Sequence, residues 1–286
     1  MVLFSVVIPT HGRPERLGEA VASVQRQGDR VECIVVDDAS PEPAQAPSGV
    51  TIVRLDRNQG PSGARMAGVA LAKGQYLAFL DDDDALLPGW VDTMGALAGS
   101  AVGVVCCGTV VEDVETGRRA DRPPKGMGPA YADQVASFLP GSYAVNTEAF
   151  REVGGFAGDI PYGEHHELAL RLIPHCLSRG LTIESSPRSL VLKRHDRSLA
   201  VRRSYHHSRV EAVERQLARH ARRLSKDPAH RADLAGVGGY SAAALQEYSR
   251  ARLLYWAAIR GAPRRLKNYA RYGATFAPFI RTRLWK

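Results

Sequence analysis

The sequence predicts an α/β fold: an open, mostly parallel sheet flanked by helices, followed by a helical extension. Three observations predict it. Apolar runs rich in β-formers alternate with stretches of helical periodicity through residues 4–80. Those runs are continuously apolar, as buried strands are. After residue 205 the strand pattern gives way to helical stripes and basic charge.

Each element has a local reason. Residues 4–8 (FSVVI) form a buried strand stopped by Pro9. Residues 14–26 carry Leu17, Val21 and Val24 at helical spacing, with Glu early and Arg late. Residues 32–36 (ECIVV) form a second strand that runs into Asp37-Asp38, and the Pro-rich stretch SPEPAQAPSG reads as a loop. Residues 50–55 form a third strand. A Gly/Pro/Ser turn then opens a helix over 60–72, and residues 76–80 form a fourth strand ending on four aspartates.

A helix follows Pro88 to about residue 97, then a strand over 102–111 and a polar Gly/Pro-rich loop over 112–129. Later come Tyr143-Ala144-Val145, a helical start at Asn146, a GGF turn at 154–156, a helix within PYGEHHELALRL, and a late strand over 190–193. In the extension, Val210, Val213, Leu217, Ala221 and Leu224 form one stripe, stopped by Asp227-Pro228. Leu245, Tyr248, Tyr255, Trp256 and Ile259 form a second.

Composition narrows the class. The 286 residues suit one large domain with an extension, and 44% hydrophobic with 24% charged content is that of a globular protein. The four cysteines show no CxxC and no zinc-like spacing, so they read as inert thiols in a reducing compartment. The start MVLFSVVIPT lacks the parts of a signal peptide, and no apolar run is long enough to span a membrane. A cytoplasmic protein is expected. The net charge of +8 is uneven: from Tyr205 to Lys286 there are 17 Lys/Arg and 5 Asp/Glu, which leaves a mildly acidic body.

Open parallel sheets bind ligands beyond the carboxyl ends of their strands. Pro9-Thr10, Asp37-Asp38 and the aspartates of LDDDD all fall at such ends, so they converge on one rim. Consecutive ionised carboxylates repel and are costly to desolvate, so a positive partner is expected there. Hard cations such as Mg²⁺ and Mn²⁺ prefer carboxylate oxygens and share them with phosphates. Asp81 and Asp83 have the D-x-D spacing for this. A solvated acidic turn that caps the next helix is the plainer alternative.

SVVIPTHGR, VVDDAS, NQGPSGARMAG and GQYLAFLDDDD, followed by LLPGW, the GGF and GEHHELALRL, resemble the glycosyltransferase family 2 pattern in this order and spacing. The resemblance covers residues 5–198. It implies a GT-A fold with a Rossmann-like nucleotide-binding half, a nucleotide-diphosphate sugar donor (a UDP-sugar favoured), Mn²⁺ or Mg²⁺, and transfer to an unidentified acceptor, with inversion. It also implies residues 1–204 as the catalytic domain, split into a donor half (1–100) and an acceptor half (101–204), with 205–286 as the basic extension. Pro9, Thr10 and Arg13 would line the nucleotide site. Asp37 and Asp38 would meet the base, and Arg65 would lie against the nucleotide. Asp81 and Asp82 would approach the ribose or sugar. Asp83, with Asp81 and His195, would hold the metal.

The chain departs from the pattern in two places. Glu164-His165 stands where relatives carry Glu-Asp, the second acid being the acceptor's base. His165 suits proton abstraction near neutral pH. Glu164 could instead take the role, the reaction could need no strong base or retain configuration, or HHE could be merely the first turn of a helix with no chemistry. Met66 stands where Asn is common. A non-catalytic nucleotide-sugar-binding module and a nucleotidyltransferase are the rival functions, but no GxxxxGK[ST] triphosphate loop occurs. For the basic, aromatic tail, a helical cap or homodimer surface is preferred. Peripheral contact with the inner face of a membrane comes second, and nucleic acid is set aside.

Overall fold

Seven residues buried one after another, FSVVIPT, make the strand around which the sheet is built. The computed structural model describes residues 2–195 and 203–277. It opens with β1 (Phe4–Thr10), α1 (Pro14–Gln25), β2 (Val31–Asp37), β3 (Thr51–Arg54), α2 (Gly60–Val69) and β4 (Tyr76–Phe79). Both helices carry a proline in their first turn, Pro14 first in α1 and Pro61 second in α2, where its fixed φ and missing N–H fit. Then come β5 (Ala85–Leu86), α3 (Trp90–Leu97), β6 (Val102–Asp113), β7 (Arg119–Arg122), β8 (Lys125–Gly126), β9 (Val135–Ala136), β10 (Tyr143–Asn146), α4 (Thr147–Glu152), α5 (Glu164–Ser178) and β11 (Thr182–His195).

The sheet order is β3-β2-β1-β4-β10-β6-β11-β5. Its first four strands are parallel. β10 then runs antiparallel to both β4 and β6, β11 runs parallel to β6, and β5 runs antiparallel to β11. The expected open, mostly parallel sheet is thus parallel in its first half and mixed in its second. Register sets the rim. Thr10 pairs with Asp37, and Val7 with Phe79, so the residues after Phe79 emerge beside the end of β1. One face is closed by Leu17, Val21, Val24, Trp90 and Met94 against Phe4, Val6, Ile8 and Tyr76. The Trp90 indole N–H donates to Gly141 O at 2.8 Å.

Two stretches differ from expectation. Residues 112–129 are not a plain loop, because β7 folds back on β6 as a hairpin. The Asp113 carboxylate accepts from the Thr116 N–H, and Gly117 supplies the left-handed residue of that turn. The late strand is fourteen residues long rather than four. Polar residues and Pro187 hide its first half, and a register shift between Ser185 and Ser189 carries the proline. The four cysteines are buried free thiols, and burial pushes Cys33 and Cys106 up to about 12.

The chain divides into two compact units. The sheet unit holds residues 1–127, 131–158 and 164–195. The helical unit holds 128–130, 159–163 and 196–286. In the latter are α6 (Arg203–Arg219), α7 (Ala221–Leu224), α8 (Pro228–Ala244), α9 (Tyr248–Gly261) and α10 (Leu266–Ala274). The Gly/Ala-rich α8 has no apolar stripe to announce it. Its small residues instead let neighbours close in: a Cβ on Gly239 would lie 2.8 Å from the Tyr255 ring. Among the described residues no helix is long and apolar enough to cross a membrane.

Asp37 ties the end of β2 to its surroundings. It accepts from the N–H groups of Ser40 and Ala44 and from Arg54 of β3. Burial raises its pKa, but the hydrogen bonds from Ser40, Ala44 and Arg54 outweigh that and hold it below the usual carboxylate range. A depressed folded pKa gives stability that is present above the unfolded value of about 3.9 and lost as the pH falls through the folded one. Asp37→Asn is therefore expected to lose about 1–3 kcal/mol in urea unfolding near neutral pH. The deficit should shrink as the pH falls below the unfolded value and through the depressed folded one.

Candidate active site

The question posed by LDDDD is which positive groups meet it. Thr10, at the end of β1, donates to Asp82 Oδ2 at 2.7 Å. Arg13, just before α1, reaches Asp82 at 3.3 Å and Asp83 at 3.1 Å, and Arg16 lies 3.5 Å from Asp83. From the other end of the sheet unit, Lys193 of β11 bonds both Asp84 and Asp81. The backbone N–H of Arg194 donates to the second Asp84 oxygen at 3.0 Å. Arg65, buried on α2, bridges Asp81 and Glu164 at 2.7 Å each.

Five carboxyls thus face four basic side chains, Arg13, Arg16, Arg65 and Lys193. The Arg194 side chain instead bonds the Asp83 backbone oxygen and Glu19. Burial alone would raise Asp81, but Lys193 and Arg65 overcome it and hold that carboxyl well below its usual range. Burial dominates at Asp84, which rises to about 7 despite Lys193. It also raises Asp82 against the hydrogen bond from Thr10. Burial lowers the pKa of Lys193, but Asp81 and Asp84 overcome that and keep it charged.

The sequence-predicted residues therefore separate. Thr10, Arg13, Asp82 and Asp83 form one hydrogen-bonded group and Arg65, Asp81 and Glu164 a second, adjoining in the chain at Asp81-Asp82. Pro9 is a buried strand residue paired with Val36. Asp38 accepts from the Gln59 N–H at 2.7 Å, so with Asp37 it organises the turn beside the rim. His195, the last residue of β11, is exposed and pairs with Asp113 in the ladder. It lies outside the group of potential ligand atoms described next.

Oxygens of Asp81, Asp83 and Asp84 lie within 4.8 Å of one another. These are the hard donors that Mg²⁺ and Mn²⁺ take. Lys193 engages Asp81 and Asp84, so Asp83, held only by exposed arginines, is the carboxylate best able to turn to an ion. That suits a metal bound through one or two carboxylates, with phosphates and water completing its shell.

His165 occupies an aromatic box, edge-on to Phe79, Tyr143 and Phe156. Its Nδ1 lies 2.7 Å from the Tyr143 hydroxyl. Its buried Nε2 has no hydrogen-bond partner among the described residues and lies 3.7 Å from Glu164 Oε1. Burial, helped by the Arg65 charge, pushes His165 well below its usual pKa, so the ring is neutral. Burial likewise lifts Tyr143 well above 10, so the phenol keeps its proton.

Sequence reasoning missed Lys193, Arg16 and Tyr143. A signal existed for Lys193: a lysine interrupts the apolar run LVLKRH at a strand end, and the four aspartates need counter-charges. The substitution Lys193→Met leaves Asp81 and Asp84 without their shared cation. It is expected to cost about 3–5 kcal/mol in denaturant unfolding, the range for breaking a buried ion pair from one side.

Comparison with known proteins gives this site its context. Residues 5–154, more than half of the chain, match the family model for glycosyl transferase family 2. Succinoglycan biosynthesis protein ExoO of Rhizobium meliloti is 36% identical over 89 residues, 29% of this chain and 26% of that protein. A pre-mycofactocin glycosyltransferase of Mycobacterium tuberculosis is 28% identical over 207 residues, 67% of this chain and 42% of its own length. The GalNAc(5)-diNAcBac-PP-undecaprenol beta-1,3-glucosyltransferase of Campylobacter jejuni is 35% identical over 106 residues, 33% of this chain and 34% of its own. The chain therefore aligns with well under half the length of each of these relatives. In fold it is similar to a crystal structure of S. aureus TarS 1-349, with a TM-score of 0.55 at 14% identity, covering 98% of this chain and 92% of that one. TarS 1-349 in complex with UDP gives a TM-score of 0.51, with the same identity and coverage. With its acidic rim on a half-parallel sheet, the chain belongs to glycosyl transferase family 2.

Proposed function

We propose that the enzyme moves a sugar from a nucleotide-diphosphate donor, a UDP-sugar favoured, to an acceptor hydroxyl with inversion, and that Glu164 is the acceptor's base. The observation that carries this reading is the carboxylate cluster at the end of β4, where Asp83 is the member least engaged by buried partners. The UDP held by the TarS relative in fold favours a uridine donor.

Electrostatics supports a metal. Oxygens of Asp81, Asp83 and Asp84 lie within 4.8 Å of one another, and a diphosphate brought against them is repelled unless a cation accompanies the ligand. Asp83, with Asp81, would hold Mn²⁺ or Mg²⁺, which when bound offsets the charge of the departing diphosphate. Arg13 and Arg16, whose side chains are 39% and 41% exposed, would turn from Asp83 onto phosphate oxygens. Arg65 fixes Asp81 and Glu164 relative to each other across the site.

Hydrogen-bond satisfaction favours Glu164 over His165. The Tyr143 hydroxyl is buried, and the partner recorded for it is His165 Nδ1. A protonated phenol gives its hydrogen to that nitrogen, so the neutral ring carries its own hydrogen on Nε2. Nε2 is then a donor and cannot take a proton from the acceptor. The neighbouring Glu164 carboxylate can, and the Nε2–H is left to donate to an acceptor oxygen and hold it in line.

Turnover with UDP-, dTDP-, GDP- and CDP-sugars, read as release of the nucleoside diphosphate, tests the activity. Consumption of a nucleoside triphosphate instead, or binding of a nucleotide sugar without turnover, would replace it with one of the rival readings. Glu164→Gln should lower kcat by about 10²–10⁴-fold at unchanged donor affinity. His165→Gln, which keeps an amide donor, should lose less than about tenfold. Collapse in His165→Gln with activity kept in Glu164→Gln would make the histidine the base.

A further inference from the structure

The helical unit carries a surface that is both apolar and cationic. From Tyr248 to Lys286 the sequence has ten Lys/Arg and no Asp or Glu. Within the described part, Leu253 and Trp256 of α9 are 74% and 52% exposed, Leu266 of α10 is 78% exposed, and Phe276 is 53% exposed. Leu253, Trp256 and Phe276 are connected through Tyr272. Trp256 lies 6.1 Å from Tyr272 and Tyr272 5.4 Å from Phe276, while Arg252 covers the Phe276 ring at 4.6 Å. Ser249, Arg252, Leu253, Trp256 and Tyr272 line an open groove of about 450 Å³. Arg260, Arg264 and Lys267 are exposed on the same two helices and the turn between them.

We propose that this face docks on the surface of an anionic lipid bilayer, with Leu253, Trp256, Leu266 and Phe276 seated at the headgroup boundary and the basic side chains on lipid phosphates. Large aliphatic groups left three-quarters exposed call for an apolar partner. Arg250 is held by Glu214 and Glu247 and Arg265 by Asp233, and the exposed Arg260, Arg264 and Lys267 call for an anionic one. An anionic bilayer supplies both at one surface, and Trp, Tyr and Arg are the side chains that settle where apolar and polar layers meet. A second copy of this chain matches less well, because a two-fold contact sets the same cations against themselves. Nucleic acid matches the charge but offers nothing to Leu253 and Leu266. The short, charged helices lie on a bilayer rather than through it. The inference is independent of the reading of the acidic cluster.

Cosedimentation of the full chain with sucrose-loaded vesicles tests it. Binding is expected to phosphatidylcholine–phosphatidylglycerol vesicles at about 0.15 M salt and not to phosphatidylcholine alone. Affinity should fall at least tenfold at about 1 M salt, where charges are screened within a few ångströms. The double substitution Leu253→Glu, Trp256→Glu, at two exposed positions, should cut vesicle binding by at least tenfold at an unchanged Tm. Lys267→Ala should cut it about fivefold. No binding to anionic vesicles overturns the proposal, as does equal binding to neutral ones or full binding by the double variant. Self-association or RNA retention that the double variant abolishes, without vesicle binding, gives the face to that partner instead.

Discussion

Four carboxylates in a row at the end of a buried strand are tolerated only because folding brings cations to them from elsewhere in the chain. Lys193 comes from the last strand of the sheet unit, Arg65 from α2, and Arg13 and Arg16 from the start of α1. Desolvating either set alone is expensive, and each repays the other. The strand β11 that extends the sheet thus also supplies the rim with a cation.

The shared constraint sorts the aspartates. Asp82 and Asp84 are buried, and each has both oxygens engaged: Asp82 by Thr10 and Arg13, Asp84 by Lys193 and the Arg194 N–H. They hold the turn. Asp81 faces Arg65 and Lys193 at the mouth, and Asp83 faces exposed arginines that can leave it. On the proposed reading the first pair is scaffold and the second is working surface. Arg65 then carries the geometry inward to Glu164, which stands beside a histidine fixed by Tyr143.

Much of this was legible in the sequence because the donor half is built from local signals. Apolar runs, prolines in first helical turns and acids at strand ends are short-range patterns, and strand order brings their ends together without further information. Three things were not legible. The first half of β11 is polar and contains Pro187, so it does not read as a strand until β6 pairs with it. Helix α8 is held by glycines that admit Tyr255 and Val213, a packing device that leaves no hydrophobic period. Lys193 and Tyr143 act through partners far away in the chain, 109 residues to Asp84 and 22 to His165, and spacing alone does not announce such pairs. His195, placed with the metal by resemblance, lies outside the converging oxygens, whereas the aspartates placed there by spacing converge.

Thermal unfolding with UDP, dTDP, GDP and CDP, each with and without Mn²⁺, tests the central claim most directly. Ligand that binds only the folded state stabilises it by about 2.7 kcal/mol at a hundred times its Kd. If the negative cluster is a donor site that needs a cation, one nucleotide raises Tm with Mn²⁺ present and fails to do so without it. If no nucleotide shifts Tm under either condition, the four aspartates and their basic partners are a structural knot, and the donor lies elsewhere.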